Sequence, residues 1–501
     1  MANFPINQHE FPQRIQSIYN QIIQASNHLL EHHDLQEDAL MCRDNLLAYL
    51  ALREQNFLGI QQQLQDRGLA NLKQSHTHIL YTLEKILSHL NATPLSQDTL
   101  MVPTPAISKE ILSNRTGDLF GHEHTNQTAL MVTIDSKILS NSTQMEELLL
   151  NGMNVARINC AHDDEELWQQ LIDFLKETEE KLKLEGKYPQ KKTCKIYMDL
   201  AGPKVRIGTL PAEPIMVIKG DSLRLYLNPD MPGHSLMDDI PAGVPVTLEK
   251  AFRNVRLGDS IFIEDGKIHG VVTDITYEYI EIEILSPAAK QLRIKEGKGL
   301  NLPDSLLSLN LPALTEKDLA DLPFITKNAD IVGISFVHSP LDLKKLRTEL
   351  EILNRPDIGV VAKIETKDAV HNLARILLEG FHFKRFGIML ARGDLAVEVG
   401  PENLSFVQDE ILTICAAAYT PVIWATGVLE KLTKKGIPSR AELTDAVYGT
   451  RANCIMLNKG GYLVDALKML SKLINVSEAE TLPQKKQRPL TSQYGIFDTP
   501  I

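Results

Sequence analysis

The sequence predicts an α/β protein, a (β/α)8 TIM barrel with an inserted all-β lid domain and a helical N-terminal extension. Three observations predict this fold. Short apolar segments alternate eight times with amphipathic helical ones after residue 128, polar residues follow many of the apolar segments, and a stretch of two-residue periodicity interrupts the series. The 501 residues are too many for one ordinary core, so two or three domains are expected.

Eight parallel strands would form the barrel, and we place them at residues 130–134, 154–158, 194–199, 331–336, 359–363, 386–391, 421–425 and 453–457. Helical segments such as 145–150 and 341–353 lie between them. The C-terminal ends of parallel barrel strands meet at one rim, where ligands bind. The polar residues that follow these strands should therefore face a single mouth.

Residues 1–92 form the predicted helical extension. Apolar residues from Phe11 to Leu29 recur at alternating steps of four and three, and two further apolar series follow up to Leu90. This pattern is typical of a small helical hairpin or bundle, packed on the main domain or on another subunit. Residues 93–127 are rich in Thr, Ser, Asn and Pro, and we predict a linker with little structure of its own.

The barrel is predicted to occupy residues 128–209 and 299–478. Residues 210–298 alternate with period two, as in SLRLYLNP and YIEIEILSP, which predicts an inserted β-barrel lid domain. An insertion after the third barrel strand would lie over the mouth, where a lid can exclude water. Residues 479–501 are predicted to be a polar C-terminal tail.

Composition restricts the class of protein. A charged content of 23% beside 43% hydrophobic residues is that of a soluble globular chain, and the net charge of −12 argues against nucleic-acid or acidic-membrane binding. The five cysteines are scattered and odd in number, which indicates reduced thiols rather than disulfides. No signal peptide and no apolar run of about 20 residues is visible, so we expect a cytoplasmic protein.

The most informative stretch runs through residues 359–400. Lys363 and Glu365 follow one predicted strand, and Asp394 follows the next one within Ala-Arg-Gly-Asp-Leu. A lone Lys-x-Glu after a strand is more often a solvated ion pair than a site, but the second motif makes that reading less favourable. An ammonium and two carboxylates at neighbouring strand ends suit a hard divalent metal that carries an anionic substrate.

These motifs resemble the pyruvate kinases. The resemblance covers roughly residues 128–478, and its strongest segments are GMNVARINCAH, MDLAGPKVRIG, GKGLNLP, AKIE, MLARGDLAVE, VIWAT and CIML. It implies glycolytic, Mg²⁺- or Mn²⁺-dependent phosphoryl transfer from phosphoenolpyruvate to ADP, giving pyruvate and ATP. It also implies small-molecule substrates and a homo-oligomer. Compared with most members, we expect a short form without the usual C-terminal domain and with an extra helical N-terminal segment.

The resemblance carries over four catalytic residues. Arg157 matches the arginine that contacts the transferring phosphate, and its fork of donors suits phosphate oxygens. Lys363 matches the lysine that stabilises charge on the phosphoryl group and the enolate oxygen. Arg206 lies at a phosphate-contacting position. Thr426 matches the threonine that relays the proton to the enolate carbon, although a threonine there would otherwise be read as a helix N-cap.

The metal and substrate positions follow from the same resemblance. Glu365 and Asp394 match the magnesium ligands. The backbone N–H groups of Gly393 and Asp394 would hold the substrate carboxylate, with Arg157 and Thr426 as further substrate contacts.

The monovalent-cation site of the family falls on Asn159 and Asp199. Potassium-dependent members carry a serine in place of Ala161 and a glutamate in place of Lys204. A lysine at this place goes with potassium independence in the family, because its ammonium can supply the charge that potassium otherwise brings. We therefore expect that K⁺ is not required.

The nucleotide side matches less well. Asn159 and His162 match nucleotide-binding positions, but the family's T-I-G-P-A-S reads Ile-Asp-Ser-Lys-Ile after Thr133, and its S-G-E-T reads Asn-Lys-Gly-Gly at 458–461. A glutamine after the position of Thr426 is also replaced by glycine. The nucleotide preference therefore stays open. Two other readings also stay open, an inactive or regulatory metabolite-binding member of the family and a related barrel enzyme with lyase chemistry.

Overall fold

The computed structural model of the chain describes residues 10–30, 35, 37–54, 58–92, 101–121, 128–237, 240–287, 291–304 and 312–481. Its strands are β1 Ala129–Thr133, β2 Val155–Asn159, β3 Lys195–Asp199, β4 Met216–Val217, β5 Ser222–Tyr226, β6 Ala242–Pro245, β7 Ser260–Ile263, β8 Ile268–Ile275, β9 Tyr279–Ser286, β10 Leu292–Arg293, β11 Leu300–Asn301, β12 Ile331–Ile334, β13 Gly359–Ile364, β14 Phe386–Ala391, β15 Val422–Ala425 and β16 Cys454–Leu457.

The helices are α1 Glu10–Leu30, α2 Glu37–Glu54, α3 Leu58–Asp66, α4 Ile79–His89, α5 Pro105–Phe120, α6 Ser142–Leu150, α7 Glu165–Leu184, α8 Glu316–Asn328, α9 Pro340–Ile352, α10 Lys367–His371, α11 Leu373–Gly380, α12 Arg392–Val399, α13 Pro401–Ala417, α14 Glu430–Lys435, α15 Arg440–Gly449 and α16 Leu463–Thr481. None of the described helices combines the length and the apolarity that crossing a membrane requires.

The predicted barrel is confirmed. Strands β1, β2, β3, β12, β13, β14, β15 and β16 pair in parallel and close on themselves, with β16 beside β1. The predicted strand limits differ from the observed ones by at most two residues, the largest difference being at 331–336, which ends at Ile334. Because both faces of these strands are buried, they are almost continuously apolar. One core lies between strands and helices, and a second fills the barrel interior.

In the segment 93–127, the described residues 101–121 are not the unstructured linker that the composition predicted, since residues 105–120 form α5, and the rest of the segment lies outside the described residues. Thr104 caps its N-terminus, and Gly121, with a φ of 71°, ends it. Leu119 and Phe120 reach the barrel interior from its N-terminal end. A Cβ on Gly387 would lie 2.6 Å from a Leu119 methyl group, so the absent side chain makes room for this plug.

The inserted domain contains β4 to β11. Its main sheet has six strands in the order β11-β7-β8-β9-β5-β6, and β10 pairs with β4 in a separate two-stranded sheet. Residues 205–208 bridge the two edges of the six-stranded sheet, since Arg206 pairs with Gly299 next to β11 and Ile207 pairs with Val246 next to β6. The turn at 264–267 between β7 and β8 reaches the barrel mouth, where Asp265 lies 3.8 Å from the Lys204 ammonium.

The N-terminal helices form a bundle with its own core. Helix α2 also packs on α13 of the barrel in the same chain, and the side-chain amide of Asn45 donates to the Ala417 carbonyl at 2.7 Å. Cys42 and Leu46 belong to the outer barrel core. At the other terminus α16 runs to Thr481, and the rest of the predicted tail, residues 482–501, lies outside the described residues.

Candidate active site

A cavity of about 310 Å³ opens at the C-terminal ends of the barrel strands. Nine of the predicted site residues line it: Arg157, Asn159, Lys204, Arg206, Lys363, Glu365, Gly393, Asp394 and Thr426. Of the other two, Asp199 lies beneath its floor, fully buried, and His162 lines a neighbouring cavity. The structure thus brings together residues that are far apart in sequence.

Asp199 is the centre of a buried polar network. One of its carboxylate oxygens accepts hydrogen bonds from Arg157 Nε and from Lys363 Nζ, both at 3.1 Å. Its other oxygen accepts from the Tyr197 hydroxyl at 3.2 Å. Gly333 on β12 makes this arrangement possible, since a Cβ there would lie 1.9 Å from the Tyr197 oxygen.

Lys363 connects this network to Glu365, the predicted metal ligand two residues further along the chain. Its ammonium lies 3.2 Å from Glu365 Oε1 and donates to Ser335 Oγ at 2.7 Å. The second oxygen of Glu365 accepts from the backbone N–H of Phe336 at 2.7 Å. Two cations, Arg157 and Lys363, are therefore balanced by two buried carboxylates.

The electrostatics follow from this pairing. Burial alone would raise the pKa of Asp199, but the charges of Lys363 and Arg157 outweigh burial and hold that pKa below its ordinary value. Burial would lower the pKa of Lys363, and the two carboxylates raise it instead, so the ammonium stays charged. The pKa of Glu365 is raised, first by burial and then by the nearby charge of Asp394.

Asp394 lies in the first turn of α12, directly after the strand that pairs with β13. Lys204 Nζ donates to both of its oxygens, at 2.7 and 3.0 Å, and Asn301 Nδ2 donates to one of them at 3.2 Å. These contacts hold the pKa of Asp394 below its ordinary value although burial opposes them. One turn further along α12, burial raises the pKa of Glu398 to about 7, and Asn301 bonds this carboxyl as well.

Glu365 and Asp394 fit the divalent cation that the resemblance implies. Carboxylate oxygens are hard donors, and both side chains line one cavity at the ends of the paired strands β13 and β14. A cation between them would balance their negative charges. Among the described residues no group of three or more His, Cys, Asp and Glu side chains could hold a metal ion. Two carboxylates completed by substrate oxygens and water are typical of a magnesium site.

The wall beside Asp394 is built by close packing. A Cβ on Gly393 would lie 2.8 Å from the Thr426 methyl group, so the backbone N–H groups that begin α12 lie next to that threonine. The Arg392 guanidinium donates to the carbonyls of Ala425 and Thr426 and lies 4.1 Å over the Trp424 ring. This fixes the first turn of α12, and N–H groups at the start of a helix have no partner within the helix and suit an anion. Thr426 is not a helix N-cap, because α14 is capped at Leu429.

The neighbouring cavity has a volume of about 280 Å³ and shares Arg157, Asn159 and Asn458 with the first one. His162 lies on it, and its pKa is lowered by burial and then by the charges of Lys459 and Arg206. Arg206 Nη1 donates to the Gly297 carbonyl of the inserted domain at 2.9 Å.

The residues of the predicted monovalent-cation site lie near one another, since Asn159 pairs with Asp199 across β2 and β3 and Asn159 and Lys204 line one cavity, but each makes other polar contacts. Asp199 is neutralised by Arg157 and Lys363, and Asn159 accepts from the backbone N–H of Ala161 at 3.2 Å. Within the described part of the chain, the Lys204 ammonium pairs with Asp394 and Asp265 rather than with Asn159 or Asp199.

Two residues of the site, Ser335 and Asn301, were not predicted from the sequence. Ser335 directly follows β12, but the predicted strand continued to 336 and concealed it. Asn301 lies on the last strand of the inserted domain, 93 residues from its partner Asp394, and no local pattern connects the two. The GKGLNLP segment, which contains Asn301, was the only available signal.

The chain is similar in sequence to known proteins of one family. The family model described as "Pyruvate kinase, barrel domain" matches residues 125–464. The chain is 34% identical over 355 residues to a pyruvate kinase of Bacillus licheniformis. This alignment covers 68% of this chain and 56% of that protein. It is 32% identical to a pyruvate kinase of Chlamydia pneumoniae, over 68% of this chain and 66% of that protein. It is also 32% identical to a pyruvate kinase of Staphylococcus haemolyticus, over 71% of this chain and 58% of that protein. The match therefore spans less than two thirds of the length of these relatives.

Proposed function

The chain belongs to the pyruvate kinase family, and we propose that it is an active member, which transfers the phosphoryl group of phosphoenolpyruvate to ADP and releases pyruvate and ATP. The observation that carries the proposal is the buried network of Arg157, Asp199, Lys363 and Glu365, which opens into the mouth cavity. A chain that had only kept the fold would not need to bury four charges at this place, because each of them costs desolvation energy.

Arg157 and Lys363 would bind the transferring phosphoryl group. Both side chains line the cavity, and Asp199 orients them from below through a single carboxylate oxygen. Fixed positive groups aimed at the phosphoryl oxygens stabilise the charge that develops during transfer. Arg206, which lines the same cavity from the side of the inserted domain, would contact the acceptor phosphate.

Glu365 and Asp394 would hold Mg²⁺ or Mn²⁺, which when bound neutralises charge on the phosphoryl and enolate oxygens. The N–H groups of Gly393 and Asp394 would bind the substrate carboxylate at the start of α12. Thr426, packed on Gly393, would pass a proton to the enolate carbon through its hydroxyl.

Potassium should not be required. The carboxylate of Asp199 already has two cationic partners, so it offers a monovalent ion little net negative charge. Lys204 adds a fixed positive charge beside Asp394. Replacing Na⁺ by K⁺ at equal ionic strength should change the rate by less than about twofold, and a strong rise would refute this part of the proposal.

The central test is pyruvate release from phosphoenolpyruvate by the purified protein, with Mg²⁺ and a panel of nucleoside diphosphates. Release should need a diphosphate and should fall by about a thousandfold or more in Lys363→Met, because the ammonium acts in the transition state. Lys344→Met, at an exposed position of α9, is the matched control and should keep full activity. Release without a diphosphate would indicate lyase- or phosphatase-like chemistry, and no release from folded protein would indicate a binding member of the family.

We further propose that the protein acts in glycolysis, in the cytoplasm and as a homo-oligomer, with small-molecule substrates and no nucleic-acid partner. Light scattering on the full chain measures the subunit number. A monomer that turns over at the full rate would contradict the oligomer.

A further inference from the structure

A two-stranded stem joins the inserted domain to the barrel. Its strands are the two connections of that domain, residues 204–208 and 298–301. The backbone N–H of Ile207 donates to the Lys298 carbonyl at 2.8 Å, and the backbone N–H of Leu300 donates back to the first strand, also at 2.8 Å. Because the two connections are paired, the inserted domain is attached to the barrel mouth through one hydrogen-bonded element instead of two separate linkers.

Both strands of this stem reach the same carboxylate. Lys204, on the first strand, donates to the two oxygens of Asp394 at 2.7 and 3.0 Å. Asn301, on the second strand, donates to one of these oxygens at 3.2 Å. The two strands are closely packed here, since a Cβ on Gly299 would lie 2.3 Å from Lys204 Cε. The proposed metal ligand is therefore held from the inserted domain as well as by its own helix α12.

Asn301 is well suited to orient this carboxylate. Its side chain is only 3% exposed, and its amide also bonds the carboxyl of Glu398, which lies one turn after Asp394 on α12. One amide thus fixes two acidic side chains of the same helix. Unlike Lys204, the amide carries no charge, so it can hold Asp394 without repelling a divalent cation.

The amide of Asn301 is only partly satisfied. Among the described residues no group donates to its Oδ1, which is buried. A buried acceptor without a donor costs stability, so an apolar side chain of similar size would suit the fold about as well. Asn301 also does not line the mouth cavity, where a substrate would lie. These observations indicate that Asn301 acts through the carboxylates that it bonds.

We propose that Asn301 is a positioning residue for the divalent-cation site, and that it orients the Asp394 carboxylate from the inserted domain. The proposal rests on the proposed function, since the cation site belongs to it. Carboxylates that bind metals are themselves held by hydrogen bonds, and loss of such a partner typically lowers metal affinity about 10- to 100-fold. The inserted domain therefore contributes to cation affinity without supplying a ligand.

Mn²⁺ binding to the full chain, followed by electron paramagnetic resonance of the free ion, tests the proposal without any substrate. Asn301→Leu has a similar shape but cannot donate, so the Kd of Mn²⁺ should rise about tenfold. Asn301→Ala should give the same rise, and it keeps the test valid if leucine disturbs the fold. Asn328→Leu removes an amide that donates to the Phe324 carbonyl on α8 at 3.0 Å, and this matched control should keep the parent Kd.

A merely structural role would give a different pattern. The urea midpoint of Asn301→Leu should stay close to that of the control, because leucine also removes the unsatisfied buried oxygen. In the Asp394→Asn background, Asn301→Leu should leave the remaining Mn²⁺ affinity almost unchanged, since an effect that passes through Asp394 is not additive. Pyruvate release by Asn301→Leu should return to within about threefold of the parent rate at saturating Mn²⁺, because mass action restores the occupancy of the site.

The outcomes separate the inference from the proposed function. An unchanged Kd of Mn²⁺ in Asn301→Leu and Asn301→Ala overturns the inference alone, and so does a rise that persists in the Asp394→Asn background. Mn²⁺ binding that depends on Asn301, in a protein that releases no pyruvate, supports the inference and refutes the kinase. A parent protein that does not bind Mn²⁺ refutes the metal site and the inference with it.

Discussion

Replacing Asp199 by asparagine should lower the free energy of unfolding of the barrel, and added phosphate should restore part of the loss. The carboxylate is fully buried and accepts from Arg157, Lys363 and Tyr197. The isosteric amide keeps one acceptor oxygen but removes the negative charge. Arg157 and Lys363 are then left with Glu365 as their balancing carboxylate.

The magnitude follows from the network. Removing one partner of a buried ion pair costs about 3–5 kcal/mol, because the other charge stays buried without compensation. Glu365, 3.2 Å from the Lys363 ammonium, offsets part of this loss, so we expect the free energy of unfolding to fall by about 2–4 kcal/mol. The excess positive charge should also bind phosphate, and at ten times its Kd this ligand restores about 1.4 kcal/mol.

Urea unfolding followed by tryptophan fluorescence measures this change. Both tryptophans are buried in the barrel, Trp168 on α7 and Trp424 on β15, so the signal reports that domain. Asp330→Asn is the matched control, since Asp330 pairs with Lys195 at 3.1 Å but is partly exposed, and it should lose less than about 1 kcal/mol. A loss in Asp199→Asn no larger than in this control, or equal phosphate effects in parent and variant, would refute the reasoning.

Three further perturbations test other parts of the site. Lys204→Glu places a negative charge beside Asp394, so the rate should rise about tenfold when K⁺ replaces Na⁺, and a rate indifferent to K⁺ would contradict the role of the lysine. Burial raises the pKa of Glu398 from its ordinary value of 4.5 to about 7. Between these two pH values the folded protein therefore keeps a proton on Glu398 that the unfolded chain has released. The free energy of unfolding should therefore fall as the pH rises from about 4.5 to 7. At pH 8, urea unfolding with a metal chelator should show Glu398→Gln to be more stable than the parent by about 1–2 kcal/mol, which is less than the full shift implies because the carboxyl is partly exposed. Gly202→Ala, at a φ of 67° with its new Cβ 2.9 Å from the Ser335 Cβ, should lose about 1–3 kcal/mol in the same assay and lower turnover, whereas wild-type stability would show that this turn tolerates a side chain.

The strands and their polar ends could be predicted because their signals are local. Lys363 lies at the end of β13, Glu365 directly follows it and Asp394 follows β14 closely, and the parallel barrel brings those ends together whatever the exact register. The partners of Asp199 could not be predicted in this way. They depend on the pairing of β2 with β3, which sets Asn159 beside Asp199 and Arg157 beside Tyr197.

Helix α5 shows a different failure. Its start and stop signals were present, with Thr104 and Pro105 at one end and Gly121 at the other. Between them the sequence has few apolar residues in a helical period, because most of the helix contributes little to the core. Leu119 and Phe120 at its end are buried, and two terminal residues are too few to produce a periodic signal.

The two cavities place their charges in different physical settings, and this decides what each can do. Arg157, Lys363, Asp199 and Glu365 are almost fully buried and balanced, so any change there disturbs the fold and the proposed chemistry together. Lys459 is largely exposed and weakly paired, so its replacement should cost the fold little. Substitutions in the buried network should therefore lower stability and turnover in parallel, whereas the free energy of unfolding should stay nearly constant when Lys459 is replaced.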